Sequence, residues 1–382
     1  MDVTVPKKDL LRLVGRCQGV ADKKSTMPAL SNVLLSIGGP SELRVAATDL
    51  YLAISGSVNG IEVKKGGTVA VSAKDLYERI KMMPEGPIHV STNDGFSTTL
   101  KAAASARRYT LRGMPGEDFP ALAEPDPKAA TLELELDVLS KLIARTHFSI
   151  STDETRPALN SALFEWEGDR VRMVSTDGHR LSKMEVRVPG RQATATMLIP
   201  LKAVGELRRL SDETRAEAGK DAEAQKVTIS QSGPNAFFVM GGTRFSVKLV
   251  DAQFPPYSQV IPQTSDRAIR VPRAPFADAL RAVSLAASDR TGGVKLEVTS
   301  GAMRITSESP ETGDGFDEVP VDYEGAEVVI GFNAKYFLDV LSAIDDDEVV
   351  LGIGGDLDPA VIKPASESDE LSYKAVVMPM RI

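Results

Sequence analysis

The chain has 382 residues, 42% of them apolar, and a formal net charge of −8. That is enough apolar material for two or three domains, while a single cysteine, Cys17, excludes a disulfide framework and any multi-cysteine zinc site. No apolar run nears the ~20 residues that cross a bilayer, and MDVTVPKKDLLRLVG flanks its apolar stretch with charge, unlike a secretory signal; a cytoplasmic protein is expected.

In chain order, PKKDLLRLVGRCQGV predicts an amphipathic helix with apolar Leu10, Leu11 and Val14. LRVAATDLYLAISGSV (43–58) alternates apolar and polar positions around a turn and predicts a hairpin. VAVSAKDLYERIKMMPEGPIHV predicts a strand, a small or polar start and a short helix, and RRYTLRGMPGEDFPAL a strand running into a Pro- and acid-rich joint at 116–128. The series then returns. LDVLSKLIARTHFSI repeats the helix with Leu139, Leu142 and Ile143, VRMVSTDGHRLSKMEV (171–186) the hairpin, MLIPLKAVGELRRLSDET the short helix, and RFSVKLVDAQFPPYSQVIP the strand and the joint at 251–266. A third copy has PRAPFADALRAVSLAAS (Phe276, Leu280, Val283), a hairpin from Met303, the helix in VVIGFNAKYFLDVLSAIDDDEVVLGI and a last strand in SYKAVVMPMRI. Thr48-Asp49 and Thr176-Asp177 lie about 128 residues apart, and Lys74, Lys202 and Lys335 recur about every 130. Strand runs with interposed helices imply an α+β class. Three topologically similar domains are expected, at 1–122, 129–256 and 262–382.

VSTDGHRLSKMEV puts Asp177, His179 and Ser182 close together, the parts of an acyl-transfer site. Asp-Gly between two alternating runs is also a strong hairpin signal. The first repeat keeps Thr and Asp without a histidine, and Ser182 has no glycine-flanked elbow. The other histidines, His89 in a strand-like run and His147 in a helix, make no metal-ligand spacing with His179. The glycines from Gly352 are followed by Pro359 where a dinucleotide loop needs a helix, and no phosphate-cradling loop motif occurs. Asp345-Asp346-Asp347-Glu348 is expected to be a solvated loop and Cys17 a core residue. No catalytic residue, metal or cofactor is expected.

Charge is unevenly spread. The first helix and the loop after it carry Lys7, Lys8, Arg12, Arg16, Lys23 and Lys24 against Asp9 and Asp22. The second repeat has Lys141, Arg145 and Arg156, and the third Arg270, Arg273, Arg281 and Arg290 against Asp278 and Asp289. Acids collect in joints and loops: Glu117, Asp118, Glu124, Asp126, Glu213 and 345–348. One such helix is an ordinary solvated face. Its recurrence in an acidic chain is the footprint of phosphate contact without base reading.

STDGHRL, FPPY and the terminal YKAVVMPMRI resemble the beta subunit of bacterial DNA polymerase III, the sliding-clamp family, and the likeness spans all three repeats. It implies a non-catalytic processivity factor whose two chains form a ring around double-stranded DNA, helices lining the inside and sheets outside. Helix spacing agrees: at ~8–10 Å between neighbours, six helices make a circle ~17 Å across, which ~10 Å of helix thickness leaves too small for a duplex. Twelve helices give a hole of roughly 24 Å, and a duplex on the order of 20 Å wide passes.

By matching positions, the resemblance implies a pocket for short peptides of the replicative polymerase, clamp loader and repair polymerases. Its wall would be Leu159, Thr176, Gly178, His179, Arg180, Leu181, Pro255, Val260, Leu357, Val376, Met378, Pro379, Met380 and Arg381, with Arg180 and Arg381 orienting the peptide's polar groups. Facing DNA would be Lys8, Arg12, Lys24, Lys74, Lys141, Arg145, Arg156, Lys202, Arg273 and Arg281. Pro157 and Ala158 stand where related clamps can carry aromatics. The dimer interface would take Met83, Tyr109, Leu285 and Ala286. The rivals are a hydrolase built on Asp177, His179 and Ser182, and a protein-binding repeat scaffold without DNA.

Overall fold

The computed structural model describes residues 1–382 except 23, 190–192, 220–224, 263–266, 289–291, 356, 367, 369 and 382. Lys23, Asp289, Arg290 and the end of the second joint therefore lie outside the described residues. Each repeat runs strand, helix, a set of four strands (five in the first), helix and three strands (four in the first). The helices are α1 (Lys7–Cys17), α2 (Ala73–Lys81), α3 (Leu136–Ala144), α4 (Leu201–Ala218), α5 (Arg273–Ser284) and α6 (Ala334–Ser342).

The apolar spacing does what the sequence implies. Leu10, Leu13, Val14 and Cys17 of α1 are buried, as are Phe276, Leu280 and Val283 of α5. Phe337 of α6 meets Phe276 edge-on at 5.9 Å and lies 4.9 Å from Phe332. Each such side chain contributes about 1.5–3 kcal/mol by leaving water. Two helices start on side-chain caps: Ser72 Oγ accepts from Asp75 N at 3.3 Å, and Asn333 Oδ1 from Lys335 N at 2.9 Å.

Two expectations change. α4 has 18 residues and is not short. Arg209 on it binds Glu206 at 2.8 Å and Glu213 at 2.6 Å, at the i,i+3 and i,i+4 spacings that support a helix, so Glu213 is a helix residue and not a loop acid. His147 begins a separate short turn, His147–Ser149, beyond the end of α3.

Two compact units result, Met1–Leu139 with Gly205–Leu249 and Ser140–Val204 with Val250–Ile382, so the central repeat is divided between them. The cause is strand pairing across repeats. In the first unit a five-stranded sheet runs Glu62–Lys65, Asp2–Pro6, Pro87–Thr92, Thr98–Ala102, Arg108–Leu111. A nine-stranded sheet there joins Leu52–Asn59 of the first repeat to Thr243–Lys248 of the second. In the second unit an eight-stranded sheet joins Arg180–Arg187 of the second repeat to Leu371–Val377 of the third. Its four-stranded companion runs Gly313–Pro320, Ala302–Ser309, Gly293–Thr299, Val328–Asn333. Every ladder in these sheets is antiparallel, and strands such as Gly293–Thr299 bury one face by alternation, as in Val294, Leu296 and Val298.

Candidate partner-binding site and charged faces

The tip of the Arg170–Thr176 and Arg180–Arg187 hairpin is built by its own side chains. Thr176 Oγ1 accepts from Gly178 N at 3.1 Å and donates to Arg180 O at 2.7 Å. Asp177 Oδ1 accepts from His179 N at 2.9 Å and Arg180 N at 3.0 Å, and Gly178 has φ +93°, a left-handed conformation that suits glycine. The first repeat repeats this turn: Thr48 Oγ1 accepts from Leu50 N, and Asp49 Oδ1 from Tyr51 N and Leu52 N. Thr-Asp is therefore turn chemistry in both repeats. Ser182 Oγ is buried 2.8 Å from Ser149 Oγ, whereas His179 is exposed. Asp177, His179 and Ser182 do not assemble a hydrolase.

Arg180 departs from its expected role. Nε binds Asp177 at 3.1 Å, NH1 binds Asp339 of α6 at 2.6 Å, and NH2 donates to Phe148 O at 2.5 Å. Its guanidinium carbon lies 4.6 Å from the Tyr336 ring centre and 5.5 Å from that of Phe148. Every arm of the fork is occupied inside the chain, so Arg180 holds the hairpin tip in place. The tip is tied to the C-terminal tail as well: Met378 N donates to His179 O, and Met380 N to Gly331 O, both at 2.9 Å.

Beside the tip, Leu163, Val174, Leu181, Leu198 and Val376 form a buried apolar floor on the eight-stranded sheet. Val250, Phe254, Tyr257 and Ile261 pack against it, and Tyr257 Oη donates to Glu165 Oε2 at 2.9 Å. Burial is the main cause that holds the Tyr257 phenol above its ordinary range. Leu181 and Val376, directly opposed across the ladder, are thus brought to one site. Around them Leu159 is half-buried, Pro255 and His179 are exposed, and Val260 (49%), Met378 (41%) and Leu357 (66%) leave apolar surface open. Pro379 and Met380 are half-buried and Arg381 is exposed.

The expected cations divide. Lys8, Lys24, Lys74, Lys141, Lys202 and Arg281 are exposed. Arg12 is near Asp9 at 3.6 Å and Glu217 at 3.9 Å, and Arg156 binds Asp153 at 2.8 Å. Arg145 is buried with its guanidinium carbon 5.5 Å from the Tyr373 ring centre and NH2 3.5 Å from Asp345; it faces the core. Arg273 donates to Asp346 O at 2.6 Å and Leu341 O at 3.5 Å, a structural use in place of a free cation. Both corrections have one cause: a guanidinium at a core-facing helix end finds carbonyls and carboxylates inside the chain. Arg16 does the same, buried against Thr243 Oγ1 at 2.5 Å and Glu217 at 3.1 Å.

Three family models cover nearly the whole chain: DNA polymerase III beta subunit, N-terminal domain at residues 1–123, central domain at 133–256 and C-terminal domain at 258–381. The chain belongs to the DNA polymerase III beta-subunit family. It is 32% identical over 383 residues to the beta sliding clamp of Pseudomonas putida, covering 100% of both. The crystal structure of the DNA polymerase III subunit beta from Pseudomonas aeruginosa matches with TM-score 0.91 at 30% identity, over 100% of both chains. The C. crescentus beta sliding clamp, crystallised with polyethylene glycol at its beta-motif tethering region, matches at 0.89 and 31%, also over 100% of both. The beta-subunit fold is α+β with three similar domains, and no helix among the described residues is long and apolar enough to cross a membrane.

Of the four dimer positions expected in this beta-subunit chain, Leu285 is 82% exposed just past α5, and Tyr109 is half-buried on an edge strand. Met83 and Ala286 are buried by their own chain. Sequence reasoning missed Phe316, 63% exposed on the edge strand Gly313–Pro320, and it missed Leu163, Val174 and Leu198 of the floor. The signal was there: SALFEW buries side chains on both faces of one strand, and a strand with apolar residues on both faces has two surfaces to cover.

Proposed function

We propose that the chain is a DNA sliding clamp, the non-catalytic processivity factor of a replicative DNA polymerase. It acts in the cytoplasm as a homodimeric ring of three domains per chain (1–122, 129–256, 262–382). One observation carries the reading. In both internal junctions the last strand of a following repeat pairs with the second hairpin strand of the preceding one, Thr243–Lys248 on Leu52–Asn59 and Leu371–Val377 on Arg180–Arg187. Among the described residues, Arg108–Leu111 and Gly313–Pro320 pair with no strand of another repeat, and both are sheet edges. An open edge is a template for another strand. Two copies joined head to tail at these edges close into a ring with twelve helices, the number that admits a duplex.

Exposed Lys8, Lys24, Lys74, Lys141, Lys202 and Arg281, with Arg156, would hold phosphates loosely and without sequence preference, since strong contacts hinder sliding. Polymerases, the clamp loader and repair polymerases would dock short apolar peptides against the floor under Leu181 and Val376, where Met378 supplies an adaptable lip. Loading onto nicked circular DNA followed by linearisation tests the whole. Release on cutting is expected. Retention on the linear product refutes enclosure, and absence of loader-dependent retention on the circle favours the scaffold reading.

A further inference from the structure

The repeats can be matched residue by residue through their ladders. In the first, Val3, Val90, Leu100 and Tyr109 are successive cross-strand partners. In the second the same path is Leu132, Ile229, Phe238, Phe245, and in the third Ile269, Leu351, Ile362, Ala375. Two residues earlier stand Arg107, just ahead of its strand, and Thr243 and Tyr373, each on its own. On the hairpins, Leu43 opposes Val58, Val171 opposes Val186 and Met303 opposes Val319. Two residues earlier stand Gly56, Met184 and Asp317. Gly56 opposes Thr243 and Met184 opposes Tyr373. The third pair in that series is Asp317 of one copy with Arg107 of another.

A second series converges on the same place. The helical patterns Leu10/Val14, Leu139/Ile143 and Phe276/Leu280 align Arg16, Arg145 and Ala282. Arg16 lands on Thr243 and Arg145 on Tyr373, each with an acid beside it, Glu217 or Asp345. At the open edge the helix position is an exposed alanine, while the strand position is an exposed arginine, Arg107, which donates from NH1 to Met82 O and leaves NH2 and Nε for a partner. Asp317 is half-buried on the strand face shared with buried Val319, and Gly315, two residues before it on that face, packs against Ala286 beyond α5.

We infer that the seam between copies carries its arginine on the opposite side from the two internal junctions: Arg107 enters the space left by Ala282 and pairs with Asp317 of the other copy. The inference rests on the dimer reading. Its consequence is selectivity. An edge bearing Asp317 with no helix-borne arginine accepts the Arg107 strand. The Thr243 and Tyr373 strands lack a cation for Asp317, so an internal strand is a poor substitute. A charge enclosed at a seam and robbed of its partner is costly, which makes the pair a register lock.

Sedimentation equilibrium of the full chain tests it. Arg107→Asp and Asp317→Arg are each expected to weaken dimerisation about a hundredfold, about tenfold at each of two seams, and the two together to recover most of that loss. Ala282→Arg, which sets a second cation beside Arg107, is expected to weaken the dimer as well, and adding Arg107→Thr to restore it in the style of the first junction. A dimeric wild type with indifferent single variants, or a double reversal no better than the singles, overturns this inference and leaves the dimer reading standing. A wild type that stays monomeric at micromolar concentration overturns both.

Discussion

Replacing Arg180 by alanine distinguishes a residue that shapes the peptide site from one that touches the peptide. Arg180 and its acid partners Asp177 and Asp339 are each less than a third exposed, and the fork also donates to Phe148 O while lying between two aromatic rings. Removing one member of a buried pair costs about 3–5 kcal/mol. The residual exposure of Asp339 puts the expectation at the lower end, about 3 kcal/mol. For a unit of about 200 residues that lowers the melting transition by about 6–12 °C. Because His179 O holds Met378 N, the loosened tip should also weaken a fluorescent client peptide in anisotropy titrations, by about tenfold, in step with the loss of stability. Arg180→Lys keeps the charge without the fork and should fall between. An Arg180→Ala chain that melts like wild type yet loses peptide affinity a hundredfold would refute the positioning argument and make Arg180 a direct contact.

Deleting Met378 to Ile382 should abolish peptide binding and leave the sedimentation of the dimer unchanged, since no described residue of that tail is on either open edge; unchanged anisotropy sinks the pocket. Lys8→Glu and Lys74→Glu should each flatten the salt dependence of retention on nicked circles by about one unit of slope for each phosphate no longer neutralised, with peptide affinity untouched; an unaltered slope removes that lysine from the DNA face. Burial pushes the Cys17 thiol up from 9.0 to about 12, so a disulfide reagent at pH 8 should label the native chain only after denaturant is added. Between pH 9.0 and about 12 the thiol ionises in the unfolded chain first, so its contribution to stability is present below that window and lost as pH rises through it. Cys17→Ala should flatten that alkaline fall, and an equal slope in both chains counts against the assignment.

Much of this was legible in order and period. The three recurrences, their helices and the hairpin turn follow from spacing and from Thr-Asp chemistry, which the first and second repeats share atom for atom. What spacing hides is which end of a long side chain is satisfied. Arg145, Arg180 and Arg273 look like free cations on a one-dimensional string, yet each is consumed by an acceptor 32 to 200 positions away in sequence or by a ring. The division of the central repeat between two units was equally hidden, because it depends on strands from different repeats joining at Leu52–Asn59 and Arg180–Arg187. Joints rich in Pro and acid mark where the chain crosses over, not where packing is weakest.

Register also decides why a client would choose one junction among three. In register, the floor Leu163, Val174, Leu181, Leu198 and Val376 of the second repeat corresponds to Leu34, Ala46, Ala53, Ala70 and Ser246 in the first. In the third it corresponds to Lys295, Thr306, Asp314 and Gly331, and the fifth place is open because Gly313–Pro320 is a sheet edge. At about 0.8 kcal/mol per buried methylene, trading leucine and valine for alanine and serine removes several kcal/mol of drive for apolar burial, and lysine with aspartate reverses it. Backbone and turn are shared by the first two repeats, so neither selects the site. The choice rests with side chains on alternate positions of five strands, and only the second set can hold the apolar segment from Val250 to Ile261 and still offer Met378 and Val260 to an incoming peptide.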